Sequence, residues 1–442
     1  MEVEVTPWTI FVGLWVYFVV MVFIPACFGI GMGGRKIYIS VLSRLFEFGR
    51  SGTTTAGYKS PLATPTTEKD LNFPPTTLQR RDSTTLVRNR SFNSFRRQFH
   101  LVDVCEFASN AVESIIDDEV TKGFSAEQVA NWNLLWRTKG YHFISWRLTC
   151  VYLLGVVVRY FILLPMRLIC ISASLTWLVL VMFVFSVLPQ FRYRRAIENW
   201  STTVAHRLFC RGLTAEIRYH DKQNAALPGG VCVANHTSPI DVVVLSSEVP
   251  YSLVGQRHGG AMGMLQNALC MAQNHVWFER SLVNDRAAVG KRLRDHLSDK
   301  RNNPILIFPE GTCINNTKVY QFKKGSFELN APIYPVAIKY DPQFADAFWN
   351  SSKEGIETYL FRLLTSWALV ADVWYLDPTE IRENESGADF SLRVKRNICQ
   401  KGGLVEIGYD GMIKREMRKD MIDQAKDSIS KTYRTRILGP HK

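Results

Sequence analysis

The chain has 442 residues, is 47% hydrophobic and carries a formal net charge of +13. That is enough for two or three folded units, and the basic balance favours an anionic partner: nucleic acid, a membrane surface or a phosphate-bearing substrate. Nucleic acid is the weakest of these, because no base-reading motif or aromatic-basic repeat is present. The nine cysteines are scattered and never in C-x-x-C spacing, which argues against a zinc site and a disulfide framework and for a reducing compartment.

Trp8 to Met32 is apolar and uncharged. At about 1.5 Å per residue it is long enough to cross a hydrocarbon core of about 30 Å. Glu2 and Glu4 precede it in place of a positive leader, so residues 1–34 read as an uncleaved anchor. Arg35, Lys36, Arg44 and Arg50 follow it, which puts its C-terminal side in the cytosol and Met1 in the lumen. From Ser51 to Gln98 the composition turns to Ser, Thr, Pro, Arg and Asn, and a disordered cytosolic linker is expected over 35–98. A helical unit is expected at 99–147: Val104, Phe107, Ala108, Ala111 and Val112 fall at helical spacing, and Ser125 with Gln128 resembles a capping box.

The second apolar region, Leu148 to Pro189, is interrupted by Arg159 and by Pro165-Met-Arg167. It reads either as a transmembrane pair or as a re-entrant hairpin over 148–190. Both topologies return the chain to the cytosolic side, where Arg192, Arg194 and Arg195 follow. An α/β pattern begins near Trp200. Strands are expected at Ala215–Tyr219, Val231–Val233, Val276–Phe278, Ile305–Phe308 and Ile333–Ile338, with a helix at Ala287–Leu297.

The stretch Gly230 to Asp241 carries the clearest chemistry. A buried strand, Val231–Val233, runs into Thr237-Ser-Pro239, which offers a capping hydroxyl and a proline for a first helical turn. His236 then sits in a strand-to-helix turn, with Asp241 in the first turn behind it. A carboxylate on one ring nitrogen fixes the tautomer and leaves the other to accept a proton, so the pair reads as an oriented general base. Four further pieces follow: Phe278-Glu-Arg280-Ser281, Phe308-Pro-Glu310-Gly311-Thr312, Phe322-Lys323-Lys324-Gly325, and Tyr334-Pro335-Val-Ala-Ile338.

Asn235-His236-Thr-Ser-Pro-Ile-Asp241 and the Arg280, Glu310 and Pro335 pieces resemble the four ordered blocks of the glycerolipid acyltransferases. The resemblance covers about Trp200 to Tyr340. It is nearest to the endoplasmic-reticulum glycerol-3-phosphate acyltransferases, which share the Gly-Thr-Cys-Ile-Asn-Asn continuation at Gly311–Asn316 and a tail like Leu360–Ala368. Many lysophospholipid relatives carry Arg-Ser after Glu-Gly-Thr, where this chain has Cys313.

The resemblance implies an α/β fold: a membrane-anchored acyltransferase domain over 191–410 with a central mixed sheet flanked by helices, preceded by transmembrane or re-entrant helices. It implies acyl transfer from acyl-CoA to the sn-1 hydroxyl of glycerol 3-phosphate at the lipid bilayer, on the cytosolic face of the endoplasmic reticulum, with lipid droplets a further candidate. His236 would be the base and Asp241 its orienter. Arg280, Glu310, Gly311 and Thr312 would bind the acceptor, Lys323 and Lys324 are second candidates for its phosphate, and Pro335 would lie near the acyl chain. Glu310 would either meet a glycerol hydroxyl or hold Arg280. No cofactor is implied, because acyl-CoA is a substrate and its thioester is already activated. A lysophosphatidate or other lysophospholipid acyltransferase, or an inactive lipid-binding scaffold, are the rivals.

Beyond Tyr340, Tyr359 to Trp374 reads as one amphipathic helix on the membrane or the core. Leu404 to Ile413 carries a hairpin signal at Asp410-Gly411, and 411–442 reads as a charged C-terminal helix.

Overall fold

The computed structural model describes residues 6–31, 33–50, 122–126, 146–189, 191–256, 275–278, 285–408 and 410. The expected linker from 51 to 98, most of the helical unit at 99–147, Arg280 and the C-terminal helix at 411–442 lie outside the described residues.

Helix α1 (Pro7–Phe18) starts where Thr6 Oγ1 accepts from the Thr9 N–H and Pro7 fills the first turn. A π-turn at Val19–Phe23 leads into α2 (Ile24–Phe28), which stops at Gly29. The φ of Gly29 is 67°, a left-handed cap that suits a residue without Cβ, so the helix ends short of Met32. Helix α3 (Gly34–Arg50) follows; the first part of the expected linker is therefore helical.

The corner expected at Pro165-Met-Arg167 does not form. The chain stays helical through α4 (Trp146–Val157), a π-turn (Val158–Leu163) and α5 (Leu164–Val187). The wider turn just before Pro165 makes room for a ring that would otherwise clash with the preceding turn and leaves no N–H missing from a regular ladder. Among the described residues, Thr149–Val187 is the helix long and apolar enough to cross a membrane; Trp15–Phe28 is apolar but shorter.

Both arginines in this helix are buried and face protein. Arg167 donates to the carbonyls of Leu364 (2.6 Å), Ser366 (2.7 Å) and Trp367 (2.6 Å), and Arg159 donates to that of Thr365 (3.1 Å). These carbonyls belong to the C-terminal end of a helix at Ile356–Leu364 and the turn after it, where acceptors lack intrahelical donors and the helix dipole is negative. The charges that would be costly in hydrocarbon thus fasten the long helix to the α/β half of the chain. Arg167→Ala is expected to destabilise the fold by about 3–5 kcal/mol, because the Leu364 and Ser366 carbonyls lose its donors and the Trp367 carbonyl keeps only the Tyr38 hydroxyl (3.0 Å). The thermal midpoint of the detergent-solubilised protein measures this; an unchanged midpoint would rule the anchor out.

Helix α6 (Arg194–Gly212) packs along α5 and leads into the sheet. The sheet holds β1 (Glu216–His220), β2 (Val231–Ala234), β3 (Ser252–Gln256), β4 (Val276–Phe278), β5 (Ile305–Ile307), β7 (Ile333–Tyr340) and β8 (Val370–Tyr375) in the order β1-β8-β7-β2-β5-β3-β4. Every pairing is parallel except β7 with β8, so the sheet is mixed, as expected. All four residues of β2 are fully buried, which is why this strand reads as an unbroken apolar run. Helices α7 (Ile240–Ser246) and α9 (Ile356–Leu364) supply Val244, Leu245, Tyr359 and Leu363 to one core. Helices α8 (Asp285–Ser298) and α10 (Gly387–Gly402) supply Leu293, Leu297, Val394 and Ile398 to the other.

The single helix expected at Tyr359–Trp374 is two elements. Helix α9 ends at Leu364, the turn Thr365–Trp367 is held by Arg167, and the chain re-enters as β8 between β1 and β7. A strand buried on both faces has no period of two, so its apolar run is indistinguishable by sequence from a helical one. Strand β3 was missed outright. The hairpin expected at Asp410-Gly411 runs into residues outside those described; just before it, β9 (Val405–Glu406) pairs in parallel with β6 (Lys318–Val319).

Candidate active site

Strand β2 ends at Ala234, and the next side chain continues the ladder in its place. Asn235 donates to the Ile338 carbonyl (2.9 Å) and accepts from the Ile338 N–H (2.8 Å), tying the turn to β7. His236 follows at the carboxyl end of the central strand, the usual ligand face of an open α/β sheet. Helix α7 then carries Asp241 back beneath it.

His236 Nδ1 lies 2.9 Å from Asp241 Oδ2. The same oxygen accepts from the N–H groups of Thr237 (2.7 Å) and Ser238 (2.9 Å), and Oδ1 accepts from the Tyr340 hydroxyl (2.6 Å). Asp241 is wholly buried, so these donors replace the water it has lost. An acceptor-only carboxylate on Nδ1 places the ring proton there and turns the lone pair of Nε2 outward. The imidazole stacks on Phe308, with centroids 4.1 Å apart and 17° between planes. Its Nε2 lies 3.4 Å from Cys313 Sγ. Burial disfavours the imidazolium, but Cys313 and Asp241 outweigh it and hold the His236 pKa above the usual histidine range.

Both oxygens of Glu310 are engaged by the main chain. It is fully buried; Oε1 accepts from the His236 N–H and Oε2 from the Tyr320 N–H, each at 2.9 Å. It clamps the main chain of the histidine to the loop after β5, where the Ile314 N–H also donates to the His236 carbonyl (2.8 Å). Gly311 closes the Phe308–Gly311 turn at a φ of 68°, which favours glycine. On the outer side of this loop, Asn315 N donates to the Gly123 carbonyl (2.8 Å) and Phe124 stacks on Tyr320 at 4.9 Å.

Burial raises the Glu310 pKa to about 7, against the two N–H donors that favour its ionised form. A carboxyl raised in the fold contributes stability that is fully present below the ordinary glutamate pKa and lost as pH rises through about 7. Wild type should therefore lose stability relative to Glu310→Gln between pH 5 and 8, by about 3 kcal/mol at most. Parallel midpoints across that range would refute the buried neutral carboxyl.

The other expected site residues are less gathered. Thr312 is buried, and among the described residues its Oγ1 has no hydrogen-bond partner. Lys323 and Lys324 are exposed, with Lys324 paired to Glu328 at 3.2 Å. The Lys323 N–H donates to the Pro309 carbonyl (3.1 Å), which ties that cationic loop to the Glu310 turn. Pro335 is buried inside β7, in register with Val233 of β2. Sequence reasoning missed Tyr340, Phe308 and Cys313 as neighbours of the histidine. The tertiary fold alone brings Tyr340 and Cys313 to it; Phe308 and Cys313 did stand in the Phe-Pro-Glu-Gly-Thr-Cys run.

An imidazole oriented by a buried carboxylate, at the end of a central strand of a mixed α/β sheet, is equipped to take up a proton. The family model described as Acyltransferase matches residues 216–339, from β1 to the end of β7. Across nearly the whole chain, the sequence is 46% identical to human glycerol-3-phosphate acyltransferase 4 over 434 residues, covering 97% of this chain and 94% of the relative. It is 45% identical over 426 residues to glycerol-3-phosphate acyltransferase 3-like from Danio rerio, covering 95% of each. The chain belongs to the glycerol-3-phosphate acyltransferase 3/4 family. The solved lysophosphatidate acyltransferase PlsC from Thermotoga maritima aligns with a TM-score of 0.41 at 17% identity, over 57% of this chain and 94% of that one.

Proposed function

We propose that this protein transfers a fatty acyl group from acyl-CoA to the sn-1 hydroxyl of glycerol 3-phosphate, releasing lysophosphatidate and CoA. The reading is supported by family membership together with one observation: a histidine whose Nδ1 is held by a buried carboxylate and whose Nε2 faces away from it. His236 would take the hydroxyl proton as the oxygen attacks the thioester carbonyl. Asp241 would steady the imidazolium that forms, and the proton would then pass to the departing CoA sulfur. Such general-base assistance contributes typically about 10²–10⁴-fold.

Glu310 would act as a positioning residue through the His236 main chain, in place of the acceptor-binding role first expected. Thr312, with its unpartnered hydroxyl, keeps a place in acceptor binding. The phosphate would need fixed cations; Lys323 and Lys324, on the loop tied to Pro309, and Arg280 remain the candidates. The membrane-length helix fits a reaction whose product is a lipid. Purified protein given labelled acyl-CoA and a panel of acceptors tests the assignment. Glycerol 3-phosphate should be the strongly preferred acceptor; a preference for lysophosphatidate or another lysophospholipid would reassign it.

A further inference from the structure

The nitrogen that would receive the substrate proton is already engaged. Nδ1 of His236 is spent on Asp241, Phe308 covers one ring face, and the main chain is clamped on both sides by Glu310 and Ile314. The remaining polar edge is Nε2, and Cys313 Sγ stands against it at 3.4 Å, inside hydrogen-bond range for sulfur. Cys313 is 6% exposed and the His236 side chain 17%, so the thiol covers part of an edge that is otherwise open to solvent.

We infer that Cys313 is a positioning residue that holds the acceptor's place: in the substrate-free protein its thiol occupies the hydrogen-bonding position on His236 Nε2 that the sn-1 hydroxyl takes over when glycerol 3-phosphate binds. This rests on the reading of His236 as the base. The exchange is favourable because a thiol is a weak donor, whereas an alcohol gives a shorter and stronger bond to nitrogen. It needs only a rotation of the Cys313 side chain, since the flanking main chain is fixed at Ile314 N to His236 O (2.8 Å) and Asn315 N to Gly123 O (2.8 Å). Once that side chain has turned away, the Nε2 edge faces the substrate hydroxyl.

The choice of side chain then has a purpose. Alanine would open the position to water, which the same base would activate against the bound thioester: water loses a proton to Nε2, its oxygen bonds to the carbonyl carbon, and CoA leaves as the thiol with that proton. Serine would bind Nε2 as strongly as the substrate does and compete with it. Cysteine is polar enough to fill the position and weak enough to yield.

The test uses full-length protein in detergent or nanodiscs. Cys313→Ala should increase acyl-CoA hydrolysis relative to acyl transfer by about three- to tenfold, the size of one modest hydrogen bond. Cys313→Ser should raise the KM for glycerol 3-phosphate by about the same factor while leaving the KM for acyl-CoA unchanged. A packing role alone would move neither the partition nor one KM selectively, and thermal midpoints of both variants verify that they are folded. Unchanged partition and unchanged KM in both would overturn the inference. So would a hydroxylamine-labile acyl adduct on Cys313 after incubation with acyl-CoA alone, which would make the thiol a nucleophile. His236→Ala separates the two claims: it should remove transfer and hydrolysis together, and if it retains both, the base assignment itself fails.

Discussion

Replacing His236 by alanine is expected to lower kcat by about 10²- to 10⁴-fold, the range over which a positioned base accelerates proton removal from an alcohol. Expression and membrane association should be unaffected. The imidazole contributes little to the cores: its partners are Asp241, Cys313 and the Phe308 ring, and the long helix is fastened elsewhere, through Arg159 and Arg167. The main-chain bonds at position 236, to Glu310 and Ile314, do not depend on the side chain and survive the change. Acyl transfer by the membrane-reconstituted variant is the measurement. Activity within a factor of ten of wild type would mean that the alcohol is deprotonated by some other group.

Asp241→Asn is expected to cost about 10²- to 10⁴-fold in kcat while leaving both KM values nearly unchanged. An asparagine oxygen can still face the Thr237 and Ser238 N–H groups and Nδ1, and its amide can turn toward Tyr340, whose hydroxyl can rotate to accept. The shape of the turn is therefore kept and the charge alone is lost. What disappears is the attraction that steadies the imidazolium as it takes the proton, a wholly buried interaction with little screening. A kcat close to wild type would show that the carboxylate serves only to brace the turn. Asp241→Ala is the less informative variant, since it leaves two N–H donors and the Tyr340 hydroxyl unpaired and threatens the fold.

The pairing of His236 with Asp241 was legible in the sequence because it is local. The two residues are five apart, and the strand, the Thr-Ser-Pro start and the apolar continuation of α7 fix the turn between them by short-range geometry. The strands that carry the site were legible for a similar reason, as β-branched apolar runs bounded by turn residues. Reading the roles of the other residues was harder. The resemblance alone places Glu310 against the acceptor or on Arg280; in the fold its two oxygens accept from main-chain N–H groups, one of them on a residue 74 positions away. Arg159 and Arg167 suggested a break in a membrane helix, whereas the structure gives them carbonyls some two hundred positions downstream.

The sequence by itself determined the α/β character, the apolar helices, the basic balance and the local His–Asp turn, because these follow from composition, periodicity and contacts within a few residues. The tertiary structure decided which distant groups complete the site: Tyr340 on Asp241, Cys313 on Nε2 and Glu310 under the main chain, from 99, 77 and 74 residues away. It also decided that residues 359–374 divide into a helix and a strand. The physical reason is that the order β5-β2-β7 sets those neighbours. Strand order is fixed by burial across the whole sheet, and no short window of sequence carries it.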